Sequence, residues 1–265
     1  MEWWHVIVIV VFLGAAAYGL FIVIKILAKN PRSVVPKSDL KEELVKLHRF
    51  LPQPPTEFEG TYRVSKELKR ELRKTKMSQE SLQKVVDNIC YFLGEVIPPK
   101  IIVSQGKPFH EESIFEPSES LGLYRSQWGY EREITLVKKL GMKRKHILAI
   151  LAHECTHHYL NHHNFWDDNR SRNEILTDVS ACYLGLGGLL LKGYGRIQGV
   201  GRKFANYVFG IRLGYVRRID LLRTISISAR LRENKDLATP LPLFRKLFVI
   251  SHLDKVRRGR PLGRP

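Results

Sequence analysis

The first apolar run in the chain is unbroken. Residues 6–24, VIVIVVFLGAAAYGLFIVI, hold 19 positions without a charge, and as a helix they would span roughly 28 Å at about 1.5 Å per residue. Trp3 and Trp4 precede the run, where an interfacial aromatic belt would lie, and Lys25, Lys29, Arg32, Lys37 and Lys41 follow it. By the positive-inside rule the N-terminus then lies outside and the body faces the cytoplasm. A cleaved signal peptide is the rival expectation. It wants a positively charged leading region, and here only Met1, Glu2 and His5 accompany the tryptophans. An uncleaved single-pass membrane anchor is therefore expected.

After the linker NPRSVVPKS (30–38) the pattern becomes periodic. Leu40, Leu44 and Leu47 recur at helical spacing and predict a helix over 39–50, stopped by LPQPP. Ser78 has the character of an N-cap, for a helix running through QESLQKVVDNICYFLG to Gly94. KIIVS (100–104) reads as a strand. Residues 105–131, mixing Gly, Pro, Ser and acidic side chains, read as a long loop or irregular hairpin. REITLVKK (132–139) alternates with β-branched residues and predicts a second strand. From 143 to about 160 the spacing is helical again, with Ile147, Leu148, Ile150 and Leu151 on its apolar side. RNEILTDVSACYLGLGGLLLKG (172–193) reads as one helix closed by its last glycine. Glu174 and Asp178 on its first turns, and a run too short without them, predict a buried core helix instead of a second membrane span. Residues 219–232 give a last amphipathic helix, and KVRRGRPLGRP a basic tail. The expected fold is α+β and mostly helical, with a small sheet before the histidine-rich helix. The segments are an anchor at 1–29, a linker and helical segment at 30–77, a domain at 78–250 and a tail at 251–265.

Charge changes this picture more than composition does. An apolar fraction of 44% is ordinary for a packed domain, whereas a net charge of +18 is not. A solvated basic surface, nucleic acid and an anionic membrane face all accommodate it. A cytoplasmic body explains much of it, because each basic residue near anionic lipid gains about 1 kcal/mol. Arg217, Arg218, Arg223, Arg230 and Arg232 read as a solvated basic face. There is no four-cysteine cluster, RNA-binding aromatic pair or helix-turn-helix signature, so nucleic acid is disfavoured. Cys90, Cys155 and Cys182 are odd in number and lack paired spacing, as expected of buried free thiols in a reducing compartment.

The chemistry concentrates in LAHECTHHYLNHH (151–163). Within it His153-Glu154-Cys155-Thr156-His157 is an HExxH pattern, and residues four apart share a helix face, so both imidazoles can reach one ion. Zinc suits the two imidazoles, because a catalytic zinc site has three protein ligands and an open position for water. Glu154, beside that face, is placed to act as a base. His158, His162 and His163 are expected to be solvated or hydrogen-bonded. The third ligand has two candidates. His163 fits the spacing of HExxHxxGxxH, but Leu160 stands where that pattern turns on glycine, and no methionine follows. Glu174 lies on the next predicted helix with Asp178 four residues on, where a carboxylate can complete the set and an aspartate can hold a ligand histidine by its other nitrogen.

HECTH followed by NEILTD resembles the gluzincin metallopeptidases, the thermolysin-like group. The resemblance covers about 132–191. It implies a zincin-like domain with His153, His157 and Glu174 as zinc ligands, Glu154 as general base, and Asp178 supporting a ligand. It also implies that the strand before the metal helix, residues 132–139, pairs with an extended peptide substrate. It does not place the group that stabilises the oxyanion; Tyr183, Tyr194, His252 and several arginines remain open. The stretches YLGLG…KGYG and LGYVRRIDLL…ARLRE resemble uncharacterised membrane-linked proteins. The expected function is a membrane-anchored zinc metallopeptidase. A non-catalytic zinc-binding interaction domain on the membrane and a basic nucleic-acid-associated protease are the alternatives.

Overall fold

Three helices begin at side-chain caps that the sequence supplies. In the computed structural model Ser65 opens α2 (Lys66–Lys74), Ser78 opens α3 (Gln79–Leu93) and Asn169 opens α5 (Arg170–Tyr183). Each side-chain oxygen accepts from a backbone N–H three residues on, at 3.1, 3.4 and 3.1 Å. That satisfies one donor the helix leaves unpaired. Gly94 ends α3 in the left-handed region that glycine occupies without strain, as its position after the apolar pattern predicts. The remaining elements are α1 (Lys37–Phe50), β1 (Lys100–Gln105), β2 (Gly122–Arg125), β3 (Glu133–Lys138), α4 (Arg144–His162), α6 (Gly187–Gly193), β4 (Arg196–Ile197), β5 (Ile211–Arg212) and α7 (Arg218–Leu231).

The structure describes residues 18, 37–52, 60–94, 97–105, 121–125, 132–138, 141–194, 196–197, 211–212, 214–234 and 237. The chain divides into a unit Met1–Val34 and a unit Val35–Pro265, and all of the elements above belong to the second. The expected membrane span at 6–24 and the basic tail at 251–265 lie outside the described residues. Among the described residues no single helix is long and apolar enough to cross a membrane.

The second unit is α+β, with α4 at its centre. This helix packs against α3, α5 and α6 and against β2 and β3, and residues His146 to Thr156 are all buried. Such burial all round explains why its sequence is apolar on more than one face. Leu40, Leu44 and Leu47 of α1 and Leu68 and Leu72 of α2 enter the same core cluster as α4. The helical part of the 30–77 segment thus shares one core with the histidine-rich helix. Helix α2 was not legible in the sequence, because KELKRELRK offers only those two leucines to mark a buried face.

Two expectations are corrected. The run at 172–193 is not one helix: α5 and α6 meet at a bend of 117°. Gly185 makes the turn with φ +95°, and a β-carbon there would stand 2.7 Å from the Gly60 carbonyl oxygen. The close approach of residues 60–62, where Tyr62 N–H donates to Gly185 O at 3.1 Å, breaks the helix. The apolar pattern alone carries no sign of that packing.

The second correction concerns the sheet. Its order is β1-β3-β2, so β3, from the 132–139 strand, is central and its main chain is paired on both sides. β1 runs parallel to it, with Lys100 opposite Glu133, and β2 antiparallel, with Gly122 opposite Leu136. β3 therefore has no edge to offer a peptide. On the far side of β1, α3 closes the edge: Gln83 accepts from Ile101 N–H at 2.8 Å and Gln79 from Val103 N–H at 3.3 Å. β2, inside the region expected as loop or irregular hairpin, forms the other edge and packs on α4.

Candidate metal centre

Helical spacing places His153 and His157 on one face of α4, and Glu174 reaches them from α5. Three atoms converge: His153 Nε2 and His157 Nε2 are 3.1 Å apart, and Glu174 Oε2 lies 3.0 and 3.2 Å from them. All three side chains are largely buried. Four ligands around a tetrahedral ion at about 2.0–2.1 Å stand roughly 3.3 Å apart, so this triangle needs little spreading to hold one.

The outer hydrogen bonds fix what these atoms carry. His153 Nδ1 donates to Asp178 Oδ1 at 2.9 Å. His157 Nδ1 faces Thr177 Oγ1 at 3.1 Å, and that hydroxyl gives its own hydrogen to Asn173 O at 2.8 Å. Thr177 must therefore accept, and His157 carries its proton on Nδ1. Both Nε2 atoms then present lone pairs to the same point as a carboxylate. Three acceptors facing one another repel unless a cation lies between them. His153, His157 and Glu174 can hold a metal ion. The carboxylates favour a positive charge at this point, whether a proton or a metal ion: burial opposes charge on His153, but Asp178 and Glu174 outweigh it and hold its pKa well above the ordinary value. Burial likewise opposes charge on Glu174, and the two histidines outweigh it and hold its carboxyl far below the usual range.

Asp178 is wholly buried and takes four donors. Besides His153, Tyr194 O–H donates to Oδ1 in a short hydrogen bond, and Tyr215 N–H and Val216 N–H donate to Oδ2 at 3.0 and 3.1 Å. The loop carrying these amides comes close because Gly214, at φ +91°, lies against the Tyr194 ring; a β-carbon there would overlap it at 2.1 Å. Tyr215 also stacks on the His153 ring, with centroids 5.7 Å apart and planes 23° apart. It remains half exposed. Burial and the nearby Glu174 push its phenol up to about 12.

Glu154 is next to the triangle and outside it. Only 6% exposed, it has its pKa raised by burial, against the pull of His153 and His157 and of the Tyr124 backbone N–H, which donates to it. Gly122 is in contact with it: a β-carbon at position 122 would be 2.4 Å from Glu154 Oε1 and 2.5 Å from Ile150 Cγ2. β2 thus lies directly over the carboxylate.

His163 stays out of the donor set and packs tilted against Tyr159, with centroids 4.4 Å and planes 60° apart. His158 is buried. Its Nε2 donates to Ile97 O and its Nδ1 accepts from Tyr124 O–H, both at 3.2 Å. Burial lowers its pKa to about 4, so it is neutral and ties β2 to the helix. Of the tyrosines considered for an oxyanion, Tyr183 is buried and bonded to His48 Nδ1, and Tyr194 is committed to Asp178. His252 lies outside the described residues. Four of the five arginines expected on a solvated face have internal partners. Arg217 and Arg223 hold buried Asp220 at 2.5 and 2.8 Å; Arg218 donates to Leu191 O and Arg232 to Tyr183 O, both at 2.9 Å. Sequence reasoning missed Thr177, Gly122 and Tyr215 as site residues, and weighed Tyr194 only for the oxyanion and not as a partner of Asp178. The two tyrosines sit in the KGYG and LGYV stretches, which were the available signal.

Comparison of this chain with models of known protein families, with curated proteins and with solved structures finds no match.

Proposed function

We propose that this chain is a zinc-dependent peptidase with a zincin-like domain. The observation that carries the reading is the convergence of two lone-pair Nε2 atoms and one carboxylate, with a separate buried glutamate beside them. Two imidazoles and one carboxylate in a tetrahedral arrangement suit zinc, which when bound supplies Lewis acidity and makes a neighbouring water acidic near neutral pH. Glu154 accepts a proton there. Its raised pKa favours that role, since a base works best when its pKa approaches the working pH.

A peptide in extended form fits along β2. Leu121 O accepts from Val137 N–H, so Leu121, Leu123 and Arg125 pair with β3 while the main-chain groups of Gly122 and Tyr124 face the site. A peptide laid beside this edge, where Tyr124 N–H already holds Glu154, brings a scissile bond to that carboxylate. Tyr215, half exposed and stacked on His153, is the tyrosine we assign to the substrate's carbonyl oxygen. Hydropathy over 6–24 and the cations after it support a single membrane anchor with the catalytic unit on the cytoplasmic side.

The test compares the wild-type chain with Glu154→Gln on a peptide library. Wild type should cleave, and the variant should keep its metal while turnover falls at least about a hundredfold. A metal-loaded wild type that cleaves no peptide would point instead to a non-catalytic metal-braced domain.

A further inference from the structure

At the opposite end of α4 from the histidines lies a groove of about 910 Å³. It is built from the 63–64 segment, α2, the 76–77 turn, the end of β3, the first turns of α4, and α6. Of its fourteen lining side chains nine are lysine or arginine and five are apolar; among the described residues the lining holds no carboxylate. Lys145 is roughly 12 Å along the helix axis from His153, so this is not the metal centre.

Two features of the groove run against local stability. Lys143, Arg144 and Lys145 stand together at the start of α4, and its first turn has no acidic residue. That end of a helix carries positive charge, which disfavours cations and attracts anions. At the 76–77 turn Lys76 and Met77 adopt φ +49° and +60°, where glycine or asparagine would be relaxed. Two of the cations meet carbonyl oxygens: Lys138 Nζ donates to Lys76 O at 3.0 Å and Arg144 to Lys69 O at 3.3 Å. These contacts orient the cations without neutralising them.

We infer that this groove binds a compact ligand bearing several phosphates, of the inositol polyphosphate class, either free or as a lipid headgroup. A ligand of high anionic charge density relieves both the crowding of cations and the helix-end repulsion. Arg63, Arg73 and Arg144 supply planar forks that match phosphate oxygens. The volume is that of a small-molecule site. Among the described residues no aromatic side chain lines it, so they offer no platform on which bases of a single-stranded nucleic acid would stack.

The experiment uses the full chain in phosphatidylcholine nanodiscs, with and without phosphatidylinositol bisphosphate, titrated with inositol hexakisphosphate. Binding is expected to weaken steeply with salt. In Lys145→Glu/Lys192→Glu it should fall at least tenfold, with bound metal unchanged. The same variant should melt above wild type when no ligand is present, because a carboxylate in the first turn of α4 complements the helix end; Lys145→Gln/Lys192→Gln provides the uncharged comparison. Weaker hexakisphosphate binding in the discs holding the phosphoinositide assigns the groove to a headgroup, and equal binding in both assigns it to a soluble ligand. The inference is overturned if hexakisphosphate fails to bind, or if both double variants bind it as wild type does. It is equally overturned if an oligothymidine displaces hexakisphosphate from the groove and binds more tightly.

Discussion

Gly122 and Glu154 meet so closely that position 122 has no room for a side chain: a β-carbon would stand 2.4 Å from Glu154 Oε1. The edge strand and the buried carboxylate are therefore positioned by each other. Tyr124 N–H, two residues along the same strand, completes the cradle by donating to Glu154.

Gly122→Ala should consequently push Glu154 or β2 aside while leaving His153, His157 and Glu174 in place. The expected result is metal content equal to wild type with peptide turnover reduced at least about tenfold, and stability lower by about 1–3 kcal/mol, as for an overpacked core. Turnover and metal per chain, measured on one preparation, check this. Unchanged turnover would mean that Glu154 need not keep this position.

Tyr215 contributes through two separable parts. Its backbone N–H holds Asp178 at 3.0 Å, and its ring stacks on His153. Tyr215→Phe preserves both and removes only the hydroxyl. If that hydroxyl donates to the substrate's carbonyl oxygen, kcat should fall about 10²-fold with KM nearly unchanged, the scale of losing one oxyanion donor. A fall in metal content instead would mean that the hydroxyl supports the ligands.

Thr177 decides where His157 carries its proton, because its own hydrogen is given to Asn173 O. Thr177→Val keeps the shape, removes the acceptor and leaves His157 Nδ1–H unpaired. Metal affinity should fall about 10–100-fold, as when other supports of ligand histidines are removed. Competition with a chelator of known affinity measures it; equal affinity in the variant would show that the tautomer is set elsewhere.

The cluster of His153, His157 and Glu174 was legible in the sequence because its geometry is local. HExxH needs only helix periodicity, and Glu174 with Asp178 needs only a second helix and a four-residue step. Ser78 and Gly94 were legible for the same reason, since caps are local chemistry. Thr177 was within reach, three residues after Glu174 on the same helix, but a threonine there reads as an ordinary polar residue. Tyr215 and Val216, and the role of Tyr194 beside Asp178, were out of reach. They come to Asp178 through packing that depends on Gly214, and no periodicity in the sequence encodes that approach. The bend at Gly185 failed to appear for a similar reason, because the apolar pattern continues across it while the contact that breaks the helix comes from residues 60–62.

The identity of the third ligand separates two arrangements that share HExxH. Glu174 Oε2 lies within 3.2 Å of both Nε2 atoms, whereas His163 caps the end of α4 and packs tilted against Tyr159. Glu174→Ala leaves two imidazoles and no carboxylate among the converging donors, so metal should be lost on dialysis. His163→Ala removes a ring outside the cluster and should retain about one ion per chain, the content of a three-ligand site. Glu174→Asp is the sharper probe, because it keeps the charge but draws the oxygen back by one methylene; it should retain metal weakly and exchange it faster than wild type. Metal analysis after dialysis measures all three variants. Retention in Glu174→Ala together with loss in His163→Ala would reverse the assignment and leave Glu174 as a carboxylate paired to two histidines.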